Sequence, residues 1–489
     1  MHVVYCVRYA PVNGKTGGRS GARRSILPTI FLVTMLSLSC LLAVSLPLAA
    51  RAASPPAPFY VSPTGSDTTG TGSVGSPFAT ISHAVSAAVS GQTVLVEPGT
   101  YKEMVLVTKQ LTLTSETLEP SSTTIDATGQ PVGIAVIGPN SAGTVVEGFT
   151  VTGANNEGIF VQDSSNVVVD NNIVSNNAFN VVAGLGEVKG IQLTGTSDST
   201  VAGNTVVGNG YGGIGVTDDG PVDASWNATA APTSGIPAGT ANPGNSNFIS
   251  GNLVENNHPN HCAIVLSAYD PNEGVSNNVI SGNTVVDNQN GVIVAADTPN
   301  TIAINNTVIY NNILNNGEGG VIVHSNAPGD VVTGNSIMYN TFSANGYLPT
   351  LEGVIIGGEG MVPVTDTTIV GNVFQNEAIA VQIVLGTNTM VGGNIIGATV
   401  KLAYNGTVTQ IGTSSTGSTN TVTQTVSATV TQTVVSTQTS VVTSNGTATS
   451  SSSSGGLTFS LALITAVGTL IVGLIVGMIV RPIREASAK

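Results

Sequence analysis

Five acids stand where chemistry could be done: Asp218 and Asp219, then Asp270 with Glu273, then Asp297, each just after a short aliphatic run. Carboxyl groups brought close together repel, which raises their pKa values unless a cation sits between them. A set of this kind suits an acid/base pair for cleaving glycosides, or a Ca²⁺ site of carboxylate and carbonyl oxygens. The alternative is turn chemistry, because Asp is a favoured turn residue and Asp163 and Glu359 hold similar places elsewhere. Tyr269 lies inside the set, and Trp226, the only tryptophan, lies in a segment over 220–248 rich in Pro, Gly, Ala and Asn. An exposed indole stacks on a sugar ring; a Trp that pins its own loop is the competing reading. Upstream of Asp270 come His258, His261 and Cys262, borderline or soft ligands that could hold copper or zinc. His324 reads as an exposed turn residue, and Lys189 as an isolated cation.

The backbone that carries these residues is marked by repetition. A Gly or Ala followed by three mostly aliphatic residues recurs nine times, from Gly133-Ile-Ala-Val through Gly190-Ile-Gln-Leu and Ala263-Ile-Val-Leu to Ala380-Val-Gln-Ile. Starts are 23 to 33 residues apart except for the 50 between Gly213 and Ala263, where the 220–248 insertion sits. A recurring period of this size means stacked units. Within each unit the runs are short, β-branched and bounded by Gly, Asn and Asp, with no room for a full amphipathic helix. The expected fold is therefore all-β, a single-stranded parallel β-helix over 58–412. With about 4.8 Å between coils, roughly eleven coils would span about 50 Å. Asn204, Asn252, Asn283, Asn312, Asn340 and Asn372 precede apolar pairs at matching points and are expected to stack as an internal ladder at a tight bend. The stretch 58–115 reads as a cap: residues 79–89 carry apolar residues at helical spacing and Gly91 stops the helix.

Charge and the chain ends bound the setting. Only 8% of the 489 residues are charged. Between residues 53 and 456 four Lys face 26 acids, a balance of −22. Such a surface excludes nucleic acid as a partner, since phosphate binding needs clustered Lys and Arg, and suits cations or neutral polymers. Arginines 19, 23 and 24 precede an apolar run over 26–50 that ends in Ala50-Arg51-Ala52, the pattern of a secretory signal over 1–52. Residues 457–480 form an uncharged run long enough to cross a bilayer, and Arg481 and Arg484 follow it. The positive-inside rule then places the tail 481–489 in the cytoplasm and the rest outside, on the surface of a single-pass membrane protein. Residues 413–456, almost wholly Ser, Thr, Val, Gln, Gly and Asn, read as an extended stalk. Cys6 and Cys40 fall in the leader, which leaves Cys262 and no disulfide framework.

The stretch from Phe59-Tyr-Val-Ser-Pro-Thr-Gly-Ser-Asp through Pro77-Phe-Ala-Thr-Ile to Val96-Glu-Pro-Gly-Thr-Tyr-Lys-Glu103 resembles the N-terminal part of the pectin-lyase-like superfamily. The Gly-Asn-x-Val/Ile units resemble its right-handed parallel β-helix repeats, including those of NosD-like copper-associated proteins. The resemblance covers residues 58–410 and implies the right-handed form of the fold; the superfold hosts lyases, hydrolases, epimerases and non-enzymes, so it implies no one activity. The catalytic Arg that lyases and pectin esterases of this fold rely on is missing, as are the Gly-His-Gly and Arg-Ile-Lys signatures of polygalacturonases. Tyr269-Asp270-Pro271-Asn272-Glu273 is similar to the Asp-Pro-His motif of alginate epimerases, with Asn272 in the place of the His. The expectation is a membrane-anchored extracellular β-helix that binds or acts on a polysaccharide, with Asp218, Asp219, Asp270 and Glu273 as catalytic candidates. Trp226, Tyr269 and Asp297 are the expected sugar contacts, and His258 and His261 the metal candidates. A structural or adhesive envelope protein and a copper-associated protein are the alternatives.

Overall fold

The structure is a computed structural model and describes residues 56–179, 188–218, 242–257, 262–346, 352–357, 362–396, 401–413 and 419–433. The leader, Asp219, Trp226, His258, His261, Glu359, the apolar run 457–480 and the tail lie outside the described residues.

Each coil contributes short strands that pair in parallel with the equivalent strands of the coils before and after it. The first face runs from Val105–Val107 through Ile134–Ile137, Ile159–Gln162, Ile191–Thr194, Ile214–Thr217, Cys262–Ala268, Asn290–Ala296, Val321–Ser325 and Glu352–Ile356 to Ile379–Gly392. A second face follows it in every coil, from Leu111–Ser115 to Thr368–Val370. The third is a sheet of eleven strands, from Gly99–Tyr101 to Ile395–Ile396. Repeating strands in parallel register around one interior make a parallel β-helix, as the spacing predicts.

The interior explains the recurring phrase. Alternate residues of each strand point inward and stack on their equivalents, as in the column Val151, Val174, Val206, Val254, Val285, Ile313, Phe342 and Phe374 of the third sheet. All of these are buried, and Phe342 and Phe374 lie ring on ring with centroids 4.8 Å apart. The glycine that opens the first-face strand lies against this column. A methyl group on Gly190 would come within 2.8 Å of Val206 Cγ1 and 2.7 Å of Asn209 Nδ2, so the phrase begins with the smallest residues because the core leaves no room.

The turns between faces carry three asparagine ladders. At the second-to-third turn, Asn172, Asn204, Asn252, Asn283, Asn311, Asn340, Asn372 and Asn394 each donate from Nδ2 to Oδ1 of the next at 2.9 to 3.1 Å. A second runs from Asn177 through Asn209, Asn257, Asn288, Asn316 and Asn345 to Glu377, and a third through Asn247, Asn278, Asn306 and Asn335. The residue before most rungs takes left-handed backbone, which is why it is so often Gly or Asn. The spacing names Asn312 as a rung. The register corrects it to Asn311, because Tyr310 is the left-handed residue and Asn312, exposed, begins the next strand.

The cap is as expected, but shorter. A helix spans Ile81–Ala87, its N-terminus capped by Thr80 accepting from the His83 amide, and it buries Ile81, Ala84 and Val85 against the first coils. His83 packs its ring on Phe78. At the other end the sheet outruns the expected boundary at 412. Lys401–Thr413 pairs in parallel with Ile379–Gly392, and Thr419–Thr433 folds back antiparallel on it. Part of the expected stalk is thus a strand, because alternating Thr and Val favour the pleat. The expected insertion is trimmed as well: Asn245 and Asn247 already belong to the coil, and Phe248–Ser250 pairs with Thr200–Ala202.

Candidate functional site

The outward side of the first face changes character along the stack. At the N-terminal end Val132, Ala135, Ile137 and Phe160 form an apolar cluster with Met104 and Leu106 packed on it. Toward the C-terminus Val265, Ile293 and Ala295 form another, with Cys262 and Ile322 against it. Between them the equivalent positions are polar. Gln192 donates from Nε2 to Thr217 Oγ1 at 3.1 Å and to Thr194 Oγ1 at 3.3 Å, and the two threonines lie 3.2 Å apart. Gln192, Thr194 and Thr217 are all buried, and Gln192 Oε1 has no hydrogen-bond partner among the described residues. Room for the long side chains comes from the next coil, where Gly215 and Gly212 carry no Cβ; one at Gly215 would fall 2.1 Å from Gln192 Oε1, and one at Gly212 2.7 Å from Lys189 Cδ.

Lys189 is not isolated, as its sequence surroundings suggest. The register that pairs Ile159 with Ile191 places it beside Glu157 on the preceding coil. Both are buried, and neither carboxyl oxygen of Glu157 has a hydrogen-bond partner among the described residues. Burial pushes the Glu157 carboxyl up to about 8, against the smaller opposing pulls of its own backbone and the Lys189 charge.

The acids named from the sequence follow at the C-terminal ends of these strands. Asp218 is fully buried and accepts from the Tyr269 amide at 2.7 Å and the Asp270 amide at 3.4 Å, so it ties its coil to the next. Burial raises its pKa to about 7; the charge of Asp270 adds to the rise, and the amide bonds oppose it. Asp270 is buried alongside. Asp297, one coil on, accepts from Ser267 Oγ and from Asn326 Nδ2 at 2.6 Å, and lies 3.6 Å from His324 Nε2. Thr298 Oγ1 donates to the Tyr269 carbonyl. The expected vertical set is therefore resolved into two parts, a buried pair of Asp218 with Asp270 and a pair of Asp297 with His324 that is mostly covered but reaches the surface, and Tyr269 sits between them. His324 is no bystander of the turn: strand register sets it level with Ala295, on the outward side. Glu273 sits on the turn after Asp270, where its amide donates to the Asp270 carbonyl. Among the described residues no three His, Cys, Asp or Glu side chains converge as metal ligands would. Cys262 packs with the outer apolar cluster.

The family model described as "Right handed beta helix region" matches residues 116–228. The chain is a right-handed parallel β-helix. No curated protein matches it in sequence. Among solved structures, the pectate lyase Pel9A is similar at 16% identity over 68% of this chain and 78% of its own, with a TM-score of 0.48. The Azotobacter vinelandii mannuronan C-5 epimerase AlgE4 A-module is similar at 15% identity over 64% of this chain and 89% of its own, TM-score 0.41. The Streptococcus pneumoniae surface protein and adhesin PfbA is similar at 14% identity over 68% and 92%, TM-score 0.42.

Sequence reasoning missed Glu157, Gln192 and the pairing of His324 with Asp297. Each partnership joins residues about 30 positions apart whose only link is that they occupy the same point on neighbouring coils. The repeat itself carries the signal, in the outward as well as the inward positions of its aligned phrases.

Proposed function

We propose that the chain is a cell-surface protein, tethered through 457–480, whose β-helix binds a polysaccharide on the outward side of its first face. The observation that carries this reading is the pair of Asp297 and His324, each side chain 19% exposed, beside Tyr269 and next along the coils to the buried carboxyls of Asp218 and Asp270. Carboxylate, imidazole and tyrosine on the rim suit sugar hydroxyls, which need both donors and acceptors. The buried acids beneath hold the coil edges in place, and Asp218, able to carry a proton near neutral pH, is the group on which glycoside cleavage would draw. The −22 balance over residues 53–456 favours a neutral polymer over an acidic one.

The test is affinity electrophoresis of the full-length chain in detergent, through gels cast with xylan, galactomannan, β-1,3-glucan, pectin or alginate. Retardation is expected on at least one neutral gel, and Asp297→Ala and His324→Ala should each weaken it about 5- to 30-fold, the worth of one or two hydrogen bonds. Unretarded migration on every gel, or wild-type retardation in both variants, rejects the proposal.

A further inference from the structure

The turn that carries the ladder from Asn172 to Asn394 has one departure from its own rule. Its left-handed positions are Gly148, Asn171, Gly203, Gly251, Gly282, Tyr310, Tyr339, Gly371 and Gly393, all with positive φ. Glycine adopts this backbone freely and Asn tolerates it, whereas a bulky side chain there is an outlier. Two successive coils nonetheless carry tyrosine. The rings stack with centroids 5.5 Å apart and planes 17° from parallel, and they remain 60% and 39% exposed.

The stack has one closed end and one open end. Tyr339 leans over Gly371, since a Cβ on that glycine would fall 2.4 Å from the ring. Tyr310 stacks one face of its ring on Tyr339. Its other face therefore looks toward the preceding coils, where Gly282 and Gly251 have nothing within 4 Å of the place a Cβ would take. The result is a step: a floor of two glycines, each about 4.8 Å wide along the stack, walled by one free aromatic face. Ser281 and Thr284 border the floor on its own coil, and Asn312 stands exposed just after the wall.

We propose that this step is a second carbohydrate site, in which one sugar ring of a neutral polysaccharide lies against the free face of Tyr310 above Gly282. A pyranose offers an apolar C–H face to the phenol ring and hydroxyls to Ser281, Thr284 and Asn312. The size of the feature selects a sugar over a second copy of the chain. Two tyrosines bury about 150–250 Å² each, well below the roughly 1,200–2,000 Å² of a stable protein interface. The strong acidic balance again selects neutral sugars. The inference rests on the polysaccharide reading above but on different residues, at the turn between the second and third faces.

The same gels separate the two sites. Tyr310→Gly should lose at least 5-fold in affinity for the retarding neutral polysaccharide while its unfolding temperature stays level or rises, because glycine fits the left-handed position; Tyr310→Trp should keep the affinity. Wild-type retardation in Tyr310→Gly overturns the proposal, as does equal loss in Tyr310→Trp. Sedimentation that finds the wild type dimeric and Tyr310→Gly monomeric also overturns it, by assigning the stack to self-association. Loss in Asp297→Ala with none in Tyr310→Gly leaves the first-face site standing and removes this one; the converse removes the first-face site and keeps this one. No retardation of the wild type on any neutral gel removes both.

Discussion

At the scale of single residues the chain keeps carboxyl groups where water does not reach. Glu157 is raised to about 8, and Glu377, the last rung of its ladder, to about 7, both by burial before any other cause. For such groups the folded state holds a proton that the unfolded chain releases near 4.5. Stability is therefore greatest below that value and is lost as pH rises toward the folded value. The unfolding temperature is expected to fall between pH 5 and pH 8.5, by an amount worth on the order of a few kcal/mol, and Glu157→Gln should flatten the slope. Calorimetric scans across that range check it; a melting temperature that rises with pH contradicts it. Sequence exposed these groups only in part. Asp218 and Asp270 stood out because they follow aliphatic runs at aligned points, whereas Glu157 sits in Asn155-Asn-Glu-Gly and reads as turn. Register sets it level with Val132 of the outward apolar cluster, a placement that alternation within one strand cannot reveal.

At the scale of the element, the ladder turn is the unit that repeats most faithfully. Asn283 shows what one rung does: its Nδ2 donates to Asn311 Oδ1 and to the Ile249 carbonyl, and its Oδ1 accepts from Asn252 Nδ2 and the Asn252 amide. Asn283→Ala leaves several buried partners unsatisfied and is expected to destabilise the fold by about 3 kcal/mol. Asn312→Ala, at an exposed strand start, should change stability by no more than about 0.5 kcal/mol. Denaturant titration of the two variants compares them, and equal losses would contradict the ladder's role. The turn was legible because Gly-Asn and Asn-Asn dipeptides recur before apolar pairs. What local pattern left open was register: Tyr310-Asn311-Asn312 offers two candidate rungs, and only pairing with the neighbouring coil selects Asn311. The sheet runs past residue 412 for a related reason. A Thr/Val run reads as stalk by composition and as strand by alternation, and an open parallel edge such as Lys401–Thr413 gives Thr419–Thr433 a partner.

At the scale of the molecule, a repeating backbone supplies a regular surface on which a few departures stand out: polar positions between two apolar patches on the first face, and two tyrosines among glycines at a turn. Both departures suit sugars, and the acidic balance suits neutral ones. The architecture was readable from period and composition because a β-helix repeats its constraints every coil. The site was less so, since it consists of the exceptions. Sugar binding at the first face is read most directly by hydrogen exchange of the full-length chain with and without the neutral polysaccharide that retards it most. Slowed exchange is expected at the amides of Tyr269, Asp270, Asp297 and Thr298. Unchanged exchange there, or protection confined to the cap around Ile81–Ala87, would contradict it.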